Sequence, residues 1–140
     1  MIKVSLSGIK GLEKALKDKS EALVKGVDME IKASVIEINQ QQKTLAPVDF
    51  GALRSSLKWA KTAPMTFEIV SSGAGSSYAP YQEFGTGGLV SIPAGLEDTA
   101  AQFKGRGVRQ INMRPQPFFF APAFAEWNKL KKRIENMLKK

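Results

Sequence analysis

Two residue types are missing from this 140-residue chain, cysteine and histidine. Without cysteine there are no disulfides, no thiolate metal sites and no thiol nucleophile. Without histidine the commonest metal ligand and the usual general base near neutral pH are gone, which excludes histidine-based hydrolase triads and histidine-ligated zinc. Acid–base chemistry is left to carboxylates and lysines. No apolar run approaches the ~20 residues that span a bilayer. Met1 to Leu6 is too short and too interrupted for a secretory signal, so the chain reads as a soluble protein that starts in a cytoplasm, with no membrane partner.

The phosphate-binding loops are missing too. Gly73-Ala74-Gly75-Ser76-Ser77-Tyr78 and Gly85-Thr86-Gly87-Gly88 are glycine-rich, but a dinucleotide fingerprint would need glycine where Tyr78 and Val90 stand. A Walker loop needs Gly-Lys-Ser/Thr, which occurs nowhere. The carboxylates Asp49, Glu68, Glu83, Glu97 and Asp98 are scattered, and the one adjacent pair, Glu97 and Asp98, would diverge by about 100° on a helix. The reading is therefore of a protein that is not an enzyme, with no catalytic residues, no metal ligands and no cofactor. Glu83 stands apart, because an acid between Tyr81 and Phe84 in a tight turn is either held by a specific partner or simply solvated.

What is present is positive charge. Lys and Arg number 21 against 13 Asp and Glu, a formal net charge of +8, which favours anionic partners. The length fits one domain over residues 1–140, burying roughly 68% of the surface of the unfolded chain. Apolar residues at Ile9, Leu12, Leu16, Leu23, Val27, Ile31, Val35, Ile38 and Leu45 recur at the period of a helix face. Unbroken, that helix would be about 55 Å long, more than one small core can cover. The expectation is that Gly26 bends it, that Pro47 ends it and that part of its stripe is buried against another subunit.

From Leu57 to Ser71 the pattern alternates, predicting two antiparallel strands about a turn at Thr62-Ala63-Pro64. Ser71 to Ser77 reads as a flexible link, Tyr78 to Phe84 as one or two helical turns stopped by Gly85, Leu89 to Ile92 as a short strand, and Gly95 to Phe103 as weakly helical. Lys104 to Arg114 is a basic, glycine-containing loop, within which Lys104, Arg106 and Arg109 are the candidate DNA-facing residues. After Pro115 and Pro117, residues Phe124, Trp127, Leu130, Ile134 and Met137 define the apolar face of a C-terminal amphipathic helix whose lysines and Arg133 form its solvated side. Phe118, Phe119 and Phe120 cannot all point inwards from an extended segment, so at least one is expected to seal a subunit interface. The fold class expected is α+β: a long N-terminal helix and a C-terminal amphipathic helix packed on a small antiparallel sheet.

Three blocks carry a resemblance. The first runs Pro47-Val48-Asp49-Phe50-Gly51-Ala52-Leu53-Arg54-Ser55. The second is Tyr78-Ala79-Pro80-Tyr81-Gln82-Glu83-Phe84-Gly85-Thr86, and the third Arg114-Pro115-Gln116-Pro117-Phe118-Phe119-Phe120-Ala121-Pro122-Ala123. In this order, between helices, they resemble a family of tailed-bacteriophage and prophage neck and minor tail-component proteins, which join head to tail. Phe50 departs from the threonine common in that place, and residues 87–111 fall where such proteins vary in length. The resemblance implies a structural virion protein, made in the host cytoplasm and located in the neck or tail. It implies a homo-oligomeric ring contacting connector and tail proteins, with a basic loop meeting packaged DNA. Gly51, Leu53, Arg54, Tyr78, Tyr81, Glu83, Phe84, Gly85, Arg114, Pro115 and Phe118 to Phe120 would be its fold or interface positions. The competing reading is a basic nucleic-acid-binding module without catalysis.

Overall fold

The computed structural model describes residues 2–6, 21–47, 51–86, 90–91, 93–101 and 113–140. Strand β1 (Lys3–Leu6) is followed by helix α1 (Glu21–Leu45), helix α2 (Gly51–Ser56), strands β2 (Leu57–Ala63) and β3 (Thr66–Ser71), helices α3 (Ala79–Phe84) and α4 (Glu97–Ala101), and helix α5 (Phe120–Leu138). The architecture is α+β, as the patterning predicts.

The strands form an antiparallel sheet in the order β1-β3-β2. The expected hairpin is present, with Trp59 opposite Ile69 and Lys58 opposite Val70, but β2 runs on through Thr62 and Ala63 so the turn falls at Pro64 and Met65 and not at Thr62-Ala63-Pro64. The third strand was not anticipated: β1 pairs with β3, Val4 opposite Ile69 and Ser5 opposite Glu68. Four residues are too few to show a period, and only the far hairpin supplies their partner. Phe67, Ile69 and Leu57 point to the core, while Lys3 and Glu68 pair on the other face at 2.8 Å.

Helix α1 runs through Gly26 without a break. Gly26 instead lets α5 approach closely, since a Cβ there would stand 2.8 Å from the Met137 methyl. Val27, Ile31, Val35 and Ile38 are fully buried by the sheet and α5. These four need no other subunit to cover them; the expectation that part of the stripe is buried against another subunit falls to the rest of it, of which Ile9, Leu12 and Leu16 lie outside the described residues. Leu45 is half exposed, while Gln42 meets the Phe119 carbonyl at the start of α5 at 2.9 Å. The antiparallel pairing of α1 and α5 is marked by Gly26 against Met137, Ser34 against Glu126 and Gln42 against Phe119.

The hairpin tip is pinned to α1 by Asp28. Its carboxylate accepts the Lys61 ammonium at 2.7 Å and the Met65 backbone N–H at 3.0 Å, where Met65 turns the chain with φ 53°. Burial alone would raise this carboxyl, but the hydrogen bonds from Lys61 and Met65 and the charges of Lys61 and Lys32 outweigh it and hold the group below its ordinary value. A carboxyl lowered by folding stabilises above its ordinary pKa and loses that contribution as pH falls through the lowered value. Asp28→Asn is expected to cost about 1 kcal/mol at neutral pH. Urea midpoints of parent and variant should then converge as pH drops below about 4.

Two further expectations change. Ser71 to Ser77 is not a loose link: Ser71 is buried with its hydroxyl 2.8 Å from that of Ser56, and Gly75 packs so tightly on α2 that a Cβ would lie 2.3 Å from the Ala52 carbonyl oxygen. Val90 and Ser91, described within the expected strand 89–92, are in no strand, and the Ser91 N–H goes to the Phe84 carbonyl at 2.8 Å.

Candidate assembly surface

The second and third sequence blocks form a single clasp. Helix α3 carries Pro80 in its first turn and stops at Gly85, whose N–H bonds the Tyr81 carbonyl and whose φ of 76° suits glycine. From α3 the Glu83 side chain reaches the start of α5. Its carboxylate accepts the backbone N–H groups of Phe118 at 2.8 Å, Phe119 at 2.9 Å and Phe120 at 3.1 Å. Helix α5 begins on three phenylalanines, none of which can cap it, and a helix start leaves its first N–H groups without partners. Glu83 supplies that cap from 35 residues earlier in the chain, with its negative charge at the positive end of the helix dipole. Buried to 3% exposure, it is the held acid of the two alternatives, not the solvated one.

Backbone pairing completes the clasp. The Gln116 N–H meets the Gln82 carbonyl at 2.7 Å, and Thr86 exchanges bonds with Met113 at 2.9 and 3.0 Å. Phe84 stacks on Phe120 with centroids 6.0 Å apart, and Phe118, Phe119 and Phe120 meet edge to face. All three phenylalanines are buried, at 0, 0 and 5% exposure, so the expectation that one seals a subunit interface is corrected. Strand alternation does not apply: the backbone of Phe119 is already helical and α5 starts at Phe120, so successive side chains no longer point to opposite faces.

The described part of the first block belongs to the fold as well; Val48, Asp49 and Phe50 lie outside the described residues. Leu53 is in the core, exposed Gly51 opens α2, and Arg54 donates to the Ala46 carbonyl at 3.4 Å. Of the remaining motif positions, Pro115 lies over Gly85 and Arg114 is exposed. Lys104, Arg106 and Arg109 lie outside the described residues.

Arg133 is only partly solvated, its side chain keeping 39% exposure while it bridges two helices. Its guanidinium bridges Glu30 of α1 and Glu126 of α5, each at 2.9 Å, and also meets the Ser34 hydroxyl, which donates to Glu126 at 3.1 Å. The hydrogen bond to Glu126 is the largest effect on Arg133; with the bond to Glu30 it overcomes desolvation and raises the group's hold on its proton. The sequence carries one sign of this lock, Glu126 falling among the apolar-face positions of α5. These acids are occupied by packing, and among the described residues no group of three acids could hold a metal.

Among the described residues two exposed apolar surfaces stand out, one beside the clasp and one beside the hairpin tip. At the clasp Tyr78, Tyr81 and Phe124 are 53, 45 and 49% exposed, and Phe124 stacks on Phe120. Phe124 was expected in the covered face of α5, but Ala123 and Glu126 take those places. At the hairpin tip Val24, Met29, Pro64 and Met65 line an open groove of about 340 Å³, rimmed by Lys25 and the Asp28–Lys61 pair. Met29 is 69% exposed. In the antiparallel register of the two helices Phe124 falls beside about residue 37 of α1, roughly eight residues or ~12 Å along the axis from Met29. Neither surface is evident from the sequence, because Met29 lies off the helix stripe and Met65 beyond the expected turn. Neither a family model, nor a curated protein, nor a solved structure matches this chain.

Proposed function

We propose that the chain is a structural virion subunit of a tailed phage or prophage, built into the head–tail junction as a ring by self-association and by contacts with connector and tail proteins. The observation that carries this reading is the pair of unlike apolar surfaces on one protomer, one beside the clasp and one beside the hairpin tip. An aromatic knob and a methionine-lined groove suit a head-to-tail contact, the kind that closes into a ring when the rotation between copies allows. Methionine sulfur against aromatic rings and a lysine over a ring face are favourable neighbours for such a joint. The resemblance of the three sequence blocks supports the same reading, and two of those blocks form the clasp on which the knob sits.

Sedimentation or light scattering across a concentration series tests the proposal, alone and with the products of flanking genes. Phe124→Glu and Met29→Glu are each expected to weaken association at least tenfold, about 1.4 kcal/mol. Mixed together, the two variants keep one intact joint per pair and should stall as dimers. A monomer at every concentration that also ignores the neighbouring gene products would defeat the proposal.

A further inference from the structure

Helix α5 carries a second surface, different in chemistry from its aromatic end. Lys129, Lys132, Asn136 and Lys139 recur at three, four and three residues, so they share one helix face, and all four are exposed. The row runs ~15 Å along the helix. Of the acids on this helix, exposed Glu135 stands three residues from Lys132 and four from Lys139, beside the row but outside ion-pair distance of either. Glu126 is buried and committed to Arg133, and its 3.7 Å approach to Lys129 leaves that lysine 63% exposed. Among the described residues, no carboxylate lies within ion-pair distance of Lys132 or Lys139. The row is held on a stiff element, because the Arg133 bridge and the close Gly26–Met137 contact fix α5 to α1.

We infer that this face of α5 binds the phosphodiester backbone of duplex DNA without reading its sequence. Lysine ammoniums and amide N–H groups are the donors that phosphate oxygens accept, and they position a duplex while leaving the bases unread. The row itself contains no aromatic side chain, so it lacks the stacking platform that single-strand binders use. An anionic membrane is a poorer fit. A helix that lies in a bilayer surface inserts its apolar face, and here Leu130 and Ile134 are already buried within the protein. The inference concerns a different element from Lys104, Arg106 and Arg109, and it can fail while ring assembly stands, or the reverse.

Fluorescence anisotropy with the full chain and a random-sequence duplex, between about 50 and 200 mM salt, provides the test. Lys132→Gln/Lys139→Gln should bind at least tenfold more weakly, with a salt slope shallower by about two. Lys43→Gln/Lys58→Gln removes the same charge from exposed sites on α1 and β2 and should bind within about threefold of the parent. Equal losses in both variants would reduce the effect to net charge and overturn the inference. Unchanged binding in the α5 variant would overturn it too, as would binding to anionic vesicles but not to duplex. Circular dichroism of both variants should match the parent, since all four lysines are exposed.

Discussion

Glu83→Ala is expected to lower the unfolding free energy by about 3–5 kcal/mol, since each buried group left without a partner costs about 1–3 kcal/mol. The variant strands three backbone N–H groups, those of Phe118, Phe119 and Phe120, at the buried start of α5. Water cannot easily replace the carboxylate, because Phe118 and Phe119 have no exposure and Phe120 almost none. A domain of this size has only about 5–15 kcal/mol in hand, so a large part of its stability goes with one side chain. Glu83→Gln should cost less, about 2 kcal/mol, because its one carbonyl oxygen still serves part of the set while its amide faces a donor. Urea titration with unchanged m-values measures both. Amide exchange should accelerate first at Phe118 to Phe120, since local opening is set by the bonds that were lost. A Glu83→Ala midpoint indistinguishable from the parent would mean that α5 does not rely on this cap.

Gly85→Ala strikes the same clasp through the backbone. At φ 76° and ψ −172° the residue occupies a region open essentially to glycine alone. A Cβ would also stand 2.6 Å from the Met113 carbonyl oxygen and 2.9 Å from the Pro115 nitrogen, both backbone atoms with no side-chain freedom to yield. Strain and overpacking together are expected to cost about 3 kcal/mol or more. Because Gly85 and Glu83 close one structure, the double variant should lose less than the sum of the singles, as contacting positions in one network do. Strict additivity would separate the turn from the cap and contradict the single-clasp description.

Periodicity made much of the fold legible. The three- and four-residue spacing of Val27, Ile31, Val35 and Ile38 marked α1, and the alternation around Trp59 and Ile69 marked the hairpin. Local stops were legible as well, Gly85 ending α3 by the ordinary chemistry of a helix terminus. Strand β1 was missed because a strand of four residues exists only through its partner. Helix α2 was missed because six residues hold less than two turns of pattern.

The surface was harder to read than the core. Arg133 and Phe124 both depart from the places that a helical wheel assigns them, the charge lying along the helix seam, partly exposed, to meet Glu30 and Glu126, and the aromatic staying half out. A wheel ranks residues by hydropathy, whereas the packing of α5 on α1 decides by which side chains find partners in the groove actually formed. The three phenylalanines show the same limit, since their burial follows from where α5 begins.

By itself the sequence determined which chemistries are closed to the protein, where its long helices lie and that its charge favours anions, because composition and period are local quantities. Only the tertiary structure decided that Glu83 caps a helix 35 residues away, that Arg133 locks two helices and that apolar surface remains exposed beside the clasp and the hairpin tip. Those facts depend on which distant backbone donors, carboxylates and side chains meet when the elements pack, and a local pattern carries no record of such meetings.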